Sequence, residues 1–162
     1  ICLRRYAEAE AAALECLGHC RSRGAHLETE ARCLAYLAEA RLGCGKPDEA
    51  LLAAQQAVQR SQEQGARYFE CCAHIALARV LIARRECGAA MDTALDRAML
   101  LARQVGAPAL VPQIVELRAR AQRVRGHDDA ERRGLYDALE RYRAVKADGR
   151  AERQEKELNG GP

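Results

Sequence analysis

Apolar residues recur along the chain with the 3.6-residue period of amphipathic helices, in stretch after stretch broken by glycine. The spacing predicts a first helix over 3–23, its stripe made by Ala9, Ala12, Ala13, Cys16, Leu17 and Cys20, with Gly24 placed to close it. A second is predicted over 28–42, where Cys33, Leu34, Leu37 and Ala38 keep the period, Arg41 forms the polar edge, and Gly43 and Gly45 end it. A third opens at Pro47, which has no amide hydrogen to lose in a first turn, followed by Asp48 and Glu49 at the positive end of the helix dipole. Its buried face is Ala50, Ala53, Ala54, Ala57 and Val58, up to Gly65.

The pattern continues over 66–87, with Phe69, Cys72, Ala73, Ala76, Leu77, Val80 and Leu81, and over 89–105, with Met91, Ala94, Leu95, Ala98, Leu101 and Ala102. A sixth helix starts at Pro108 with Pro112 in its first turn, or at Pro112 itself, since proline is excluded from a helix interior. A seventh is capped by Asp128 or Asp129, packs through Ala130, Leu135, Ala138, Leu139 and Tyr142, and ends near Gly149. A short polar helix closes the chain over 150–158, before a loose tail at 159–162.

The chain also repeats itself. Gly24, Gly65, Gly106 and Gly149 stand 41, 41 and 43 residues apart, while Leu37, Leu77 and Leu117, and Ala50, Ala90 and Ala130, step by 40. Such a period marks stacked helix pairs, which bury continuous surface only by packing on their neighbours. Short links force consecutive helices antiparallel. The expected organisation is one all-α domain over 1–158: a lone helix 3–23, pairs over about 28–65, 66–106 and 108–149, and the closing helix. In the middle pair Arg85 aligns with Gly45 and glycine comes only at Gly88, which reads as a slipped, irregular joint. The lone first helix lacks a partner on one flank; that predicts an upstream continuation, a second copy of the chain or a docked domain there.

Composition sharpens this picture in three places. The 162 residues are 49% hydrophobic but 4% aromatic, so the core must be Leu and Ala, whose small side chains let helices lie close. Net charge is +3, all of it contributed from Arg118 onward, where Arg118, Arg120, Arg123 and Arg125 form a run. Charges of both signs on helices read first as solvated faces; without stacking aromatics or a binding motif, direct nucleic-acid binding is not expected. All eight cysteines lie within 2–87 and follow helix faces, as free packing thiols in a reducing cytoplasm do. Cys16, His19 and Cys20 share one face, but no fourth ligand is apparent, so neither a metal nor a cofactor is expected. No stretch is long and apolar enough to span a membrane.

The pairs resemble tetratricopeptide repeats, in the roughly forty-residue form found in C-terminal regions of bacterial signalling and transcription-regulatory proteins. The resemblance rests on Leu37-Ala38, Leu77-Ala78 and Leu117 in first helices, on Ala50-Leu51, Ala57, Ala90, Ala98 and Ala130 in second helices, and on the turns at 45–50 and 126–130. It implies a right-handed α-solenoid that binds a protein or peptide on the inward face of its first helices. Polar residues there make Arg32, Tyr36, Glu39, His74, Arg79, Arg118 and Arg120 the candidate binding group, although each alone reads more readily as solvated surface than as a contact. The competing reading is a structural oligomerisation or docking unit that controls an upstream effector domain, using the first helix. An enzyme is not expected: there is no Gly-rich phosphate loop, and His19, His26, His74 and His127 are scattered.

Overall fold

A computed structural model describes residues 5–23 and 27–160. Among these residues the chain is all-α, with helices α1 (Tyr6–Arg23), α2 (Leu27–Gly43), α3 (Pro47–Glu63), α4 (Arg67–Ala83), α5 (Ala89–Gln104), α6 (Val111–Val124), α7 (Asp128–Ala144) and α8 (Asp148–Leu158). A 3-10 turn, Pro108–Leu110, leads into α6 and leaves Pro112 within its first turn. The expected closure of the first helix at Gly24, and its start at residue 3, lie outside the described residues.

The six joints from the end of α2 onward share one device. At each, a single residue takes a left-handed backbone: Gly45, Gly65, Arg85, Gly106, Gly126 and Lys146. The amide after it reaches back to a carbonyl in the last helical turn, from Lys46 to Arg41, Ala66 to Ser61, Glu86 to Leu81, Ala107 to Ala102, His127 to Gln122 and Ala147 to Tyr142, each at 2.9 Å. This is the Schellman closure, which satisfies carbonyls that a helix end leaves unpaired. Four of the six positions are glycine because only glycine enters that region without a steric penalty.

The repeat therefore beats at helix ends about every twenty residues, which corrects several sequence expectations. Arg85 adopts the left-handed turn itself, so that joint is regular; Gly88 is extended and opens α5. The fourth helix accordingly ends at Ala83 rather than 87. Gly149 lies inside α8, the seventh helix stops at Ala144 with Lys146 in its turn, and the closing helix begins at Asp148. Asp128 and Asp129 sit in the first turn of α7, whose cap position is His127 with no side-chain bond.

Helix α2 packs on α1, α3 and α4; α4 packs on α3, α5 and, more lightly, α6; α6 packs on α7, and α7 on α8. The first helices α2, α4 and α6 touch one another, whereas α3, α5 and α7 make at most marginal contacts among themselves. Contact on one side and separation on the other bend the stack, with the first helices on the inner side. Alanine makes this close approach possible. Ala50, Ala54, Ala57, Ala38 and Ala73 are fully buried between α2, α3 and α4, and Met91, Ala98 and Leu101 fill the next layer with Ile114. Tyr142 is the largest fully buried side chain and holds α6, α7 and α8 together with Leu139 and Ala151. Helix α1 is held on one side only, against α2, by buried Ala13 and Leu17 and by Glu10, which accepts from Arg41 and Lys46 of the α2–α3 corner.

Candidate binding cleft

The turns set which residues meet. Counted back from the left-handed residue of its own turn, Glu39, Arg79 and Arg120 occupy the same place, six residues before it, on α2, α4 and α6. Neighbouring first helices run parallel, so equivalent places lie side by side, and Glu39 receives the Arg79 guanidinium directly. Arg120 donates from Nε to Glu116 Oε1 at 2.9 Å. Its two terminal nitrogens reach both oxygens of Glu157 on α8, at 2.9 and 2.8 Å. That bidentate fork is the strongest geometry available to a guanidinium and a carboxylate.

These residues line a cleft of about 470 Å³. Its walls are Glu39, Leu42 and Gly43 of α2, Arg79 of α4, Glu116 and Arg120 of α6, and Arg150, Arg153, Gln154 and Glu157 of α8. Tyr6 of α1 completes it, its ring lying so close over Gly43 that a side-chain carbon there would overlap it. The closing helix thus faces the first helices across the opening.

The electrostatics are unequal. Arg79, Arg120, Arg150 and Arg153 face Glu39, Glu116 and Glu157, four guanidinium groups against three carboxylates. The Arg120 fork holds the Glu157 carboxyl below its ordinary range. Glu116 also accepts from the Tyr142 hydroxyl at 2.7 Å. Burial, reinforced by that carboxylate, pushes the Tyr142 phenol well up, so it remains a donor. Arg150 stacks over the Tyr142 ring at 6.0 Å, and Arg153 forms no ion pair among the described residues. Gln154 is buried, and its Nε2 has no hydrogen-bond partner among the described residues. A buried amide donor without an acceptor costs stability.

The other candidate residues lie elsewhere. Arg32 lies in the N-terminal half of α2 and Tyr36 near its middle; Arg32 stacks over Phe69 of α4 at 5.8 Å, and Tyr36 is exposed. Tyr68 beside Phe69, at 5.5 Å and edge-on, gives this end of the wall an aromatic surface. His74 and Arg118 are directed away from the cleft. His74 is buried 3.8 Å from Glu70, which takes hydrogen bonds from Arg97 of α5, and Arg118 donates to Asp96 of α5 at 2.6 Å. The reason is helical angle: His74 lies five residues from Arg79 and Arg118 two from Arg120, far around the helix from the lining side chains. Leu117 likewise stands nine residues before its turn, while Leu37 and Leu77 stand eight before theirs; the α6 residue at that place is Arg118. The forty-residue step that joined the three leucines is off the structural register by one.

Glu116, Arg150, Arg153, Gln154 and Glu157 were not among the candidates. Glu116 has a sequence signal, four residues before Arg120 on one helix face. The α8 residues have none, because their position depends on how the stack curves round.

Comparison with family models, with curated proteins and with solved structures finds no match. The helical repeat rests on the chain's own geometry. Among the described residues no group of three His, Cys, Asp or Glu side chains is arranged to hold a metal ion, and no helix is long and apolar enough to cross a membrane.

Proposed function

We propose that the chain is a protein- or peptide-binding scaffold of tetratricopeptide type, serving a larger regulatory or signalling protein, and that its cleft receives an acidic segment. The observation that carries this reading is Arg153 of α8, exposed and without an ion pair among the described residues, on a wall with surplus positive charge. A carboxylate of an extended segment supplies the partner that Arg153 lacks. The aromatic end formed by Tyr36, Tyr68 and Phe69 offers apolar contact along the same first-helix wall.

Fluorescence anisotropy with short labelled peptides, one Asp/Glu-rich and one with those positions changed to Gln, tests it. Preference for the acidic peptide is expected, weakening with salt as exposed charges are screened. Arg153→Glu is expected to reduce affinity about ten-fold or more, the scale of one charge-assisted hydrogen bond. Arg103→Glu, at an exposed position of α5, makes the same charge change away from the cleft and is expected to have little effect. Equal binding of both peptides, or equal loss in both variants, overturns the proposal.

A docking or oligomerisation role is favoured by one observation, the exposure of Leu14 at 46% on α1. It predicts a concentration-dependent mass in light scattering that Leu14→Glu abolishes; a monomer at all concentrations counts against it.

A further inference from the structure

Three thiols meet where α1 lies on α2. Cys16 projects from the middle of α1, half-buried, and its Sγ is 2.8 Å from the Sγ of Cys33, which is buried on α2. Cys20, one turn further along α1, reaches the same Cys16 sulfur. The other thiols are placed differently: Cys71 donates to the Ala98 carbonyl at 3.2 Å, and adjacent Cys72 is half-buried near Tyr68. Two sulfur atoms on facing helices at this separation need only a small approach to reach the roughly 2.05 Å of an S–S bond.

We infer that Cys16 and Cys33 are a reactive dithiol pair that a small disulfide of the glutathione class converts to a disulfide, clamping α1 onto α2. Cys16 is the entry point because it is partly exposed while Cys33 is not. The Cys16 thiolate attacks one sulfur of the small disulfide and expels the other as a thiolate, giving a mixed disulfide on Cys16. Cys33, losing its proton to solvent, then attacks the Cys16 sulfur and expels the second small thiol. Two protein thiols are oxidised by two electrons, one small disulfide is reduced to two thiols, and the two protons released by the protein end on those products. Burial, with the Cys16 thiol beside it, pushes the Cys33 thiol up to about 12, so the internal attack is the slower of the two steps.

The bond has a structural consequence. Apart from the Glu10 ion pairs, α1 is held chiefly by Ala13 and Leu17, and its first residue, Tyr6, forms one wall of the cleft. A covalent tie midway along α1 restrains the fraying of an end helix that packs on a single neighbour. The oxidised chain therefore holds Tyr6 over Gly43 more firmly than the reduced chain.

The test is equilibration of the chain with reduced and oxidised glutathione at graded ratios, acid quench, alkylation of free thiols and tryptic peptide mapping. The expected product joins the peptide carrying Cys16 and Cys20 to the peptide beginning at Cys33. It persists in Cys20→Ser and vanishes in Cys16→Ser, a half-buried position where the change spares the core. Hydrogen exchange of the α1 amides is expected to slow by at least about ten-fold in the oxidised chain. Glutathione retained as a mixed disulfide with no cross-linked peptide overturns the pairing. A cross-link that survives Cys16→Ser assigns the chemistry to Cys20 and overturns it as well, and unchanged α1 exchange overturns the clamp.

Discussion

Replacing Arg85 by glycine is expected to stabilise the chain, although it removes a charged side chain and adds backbone freedom. Among the described residues Arg85 and Lys146 are the two non-glycine residues with a left-handed backbone, at φ 61° and 56°. An L-residue in that region pays roughly 1–2 kcal/mol for the approach of its Cβ to the following carbonyl. Glycine avoids this but loses about 0.5–1 kcal/mol of extra backbone entropy on folding. The difference runs from about 0 to about 1.5 kcal/mol in favour of glycine. Arg85 is exposed and forms no ion pair among the described residues, so little opposes that gain. For a chain of this length the change corresponds to roughly 2–4 °C in Tm per kcal/mol. Lys146→Gly is expected to act likewise, and the two should add because their turns are far apart. The reverse experiment is equally clean. A Cβ at Gly45, Gly65, Gly106 or Gly126 meets nothing within 4 Å, so Gly106→Ala tests backbone conformation alone and is expected to cost about 1 kcal/mol. Urea denaturation followed by circular dichroism reads both signs. A lowered midpoint for Arg85→Gly, or a neutral Gly106→Ala, would refute the claim that six equivalent turns set the repeat.

Gly134→Ala tests the opposite kind of glycine: its new Cβ would lie 2.7 Å from the Ala119 Cβ and 3.3 Å from the Ala119 Cα. Neither neighbour is a flexible side-chain end, so α6 and α7 must separate, at about 1–3 kcal/mol, where an unconstrained helical site would gain nearly 1 kcal/mol from alanine. A Tm that rises shows the helices do not approach this closely. His74 predicts a pH effect. Burial lowers its pKa from the ordinary value of 6.5, against the raising influence of Glu70. With the folded pKa below the unfolded one, the unfolded chain binds more protons between them, so this contribution is present above about pH 6.5 and is lost as pH falls through the folded pKa. Tm measured between pH 7.5 and 5.5 is expected to fall less steeply in His74→Leu than in the parent; parallel slopes would remove His74 as the cause.

The fold was legible because helix ends and helix faces are local. The alanine face of α3 follows from spacing, and Gly45, Gly65, Gly106 and Gly126 mark turns where glycine is the favoured residue. Arg85 and Lys146 were hidden for the same reason: a left-handed turn held by the Schellman bond and by packing around it tolerates a non-glycine residue, and nothing in an arginine announces it. Gly149 shows the converse error, a glycine at nearly the right interval with an ordinary helical place. The cleft was legible only where the repeat itself builds it. Glu39, Arg79 and Arg120 share a register position, and a polar residue on a first helix does not belong to that wall unless its angle agrees, as His74 and Arg118 show. The remaining wall comes from α8, whose arrival opposite α2 is set by the accumulated rotation of the whole stack.

That arrival has an energetic implication for any acidic occupant. Arg120 already gives both terminal nitrogens to Glu157, and a guanidinium that holds one carboxylate in a fork cannot hold a second in the same geometry. Arg79 is similarly engaged by Glu39. An incoming carboxylate therefore meets Arg150 and Arg153 freely but reaches Arg120 only by displacing Glu157, so the chain carries an internal competitor for its own site. Glu157→Gln keeps the size of the side chain and removes the charge. It is expected to tighten binding of an Asp/Glu-rich peptide by about ten-fold if the occupant reaches Arg120, while lowering stability by no more than about 1 kcal/mol, since the pair is partly exposed. Anisotropy titration of the parent and Glu157→Gln, with Arg120→Gln as the third arm, separates the possibilities. Tightening that disappears when Arg120 is also changed places the occupant in the fork. Unchanged affinity in Glu157→Gln confines it to Arg150 and Arg153, and makes Glu157 a fastening of α8 rather than a rival for the ligand.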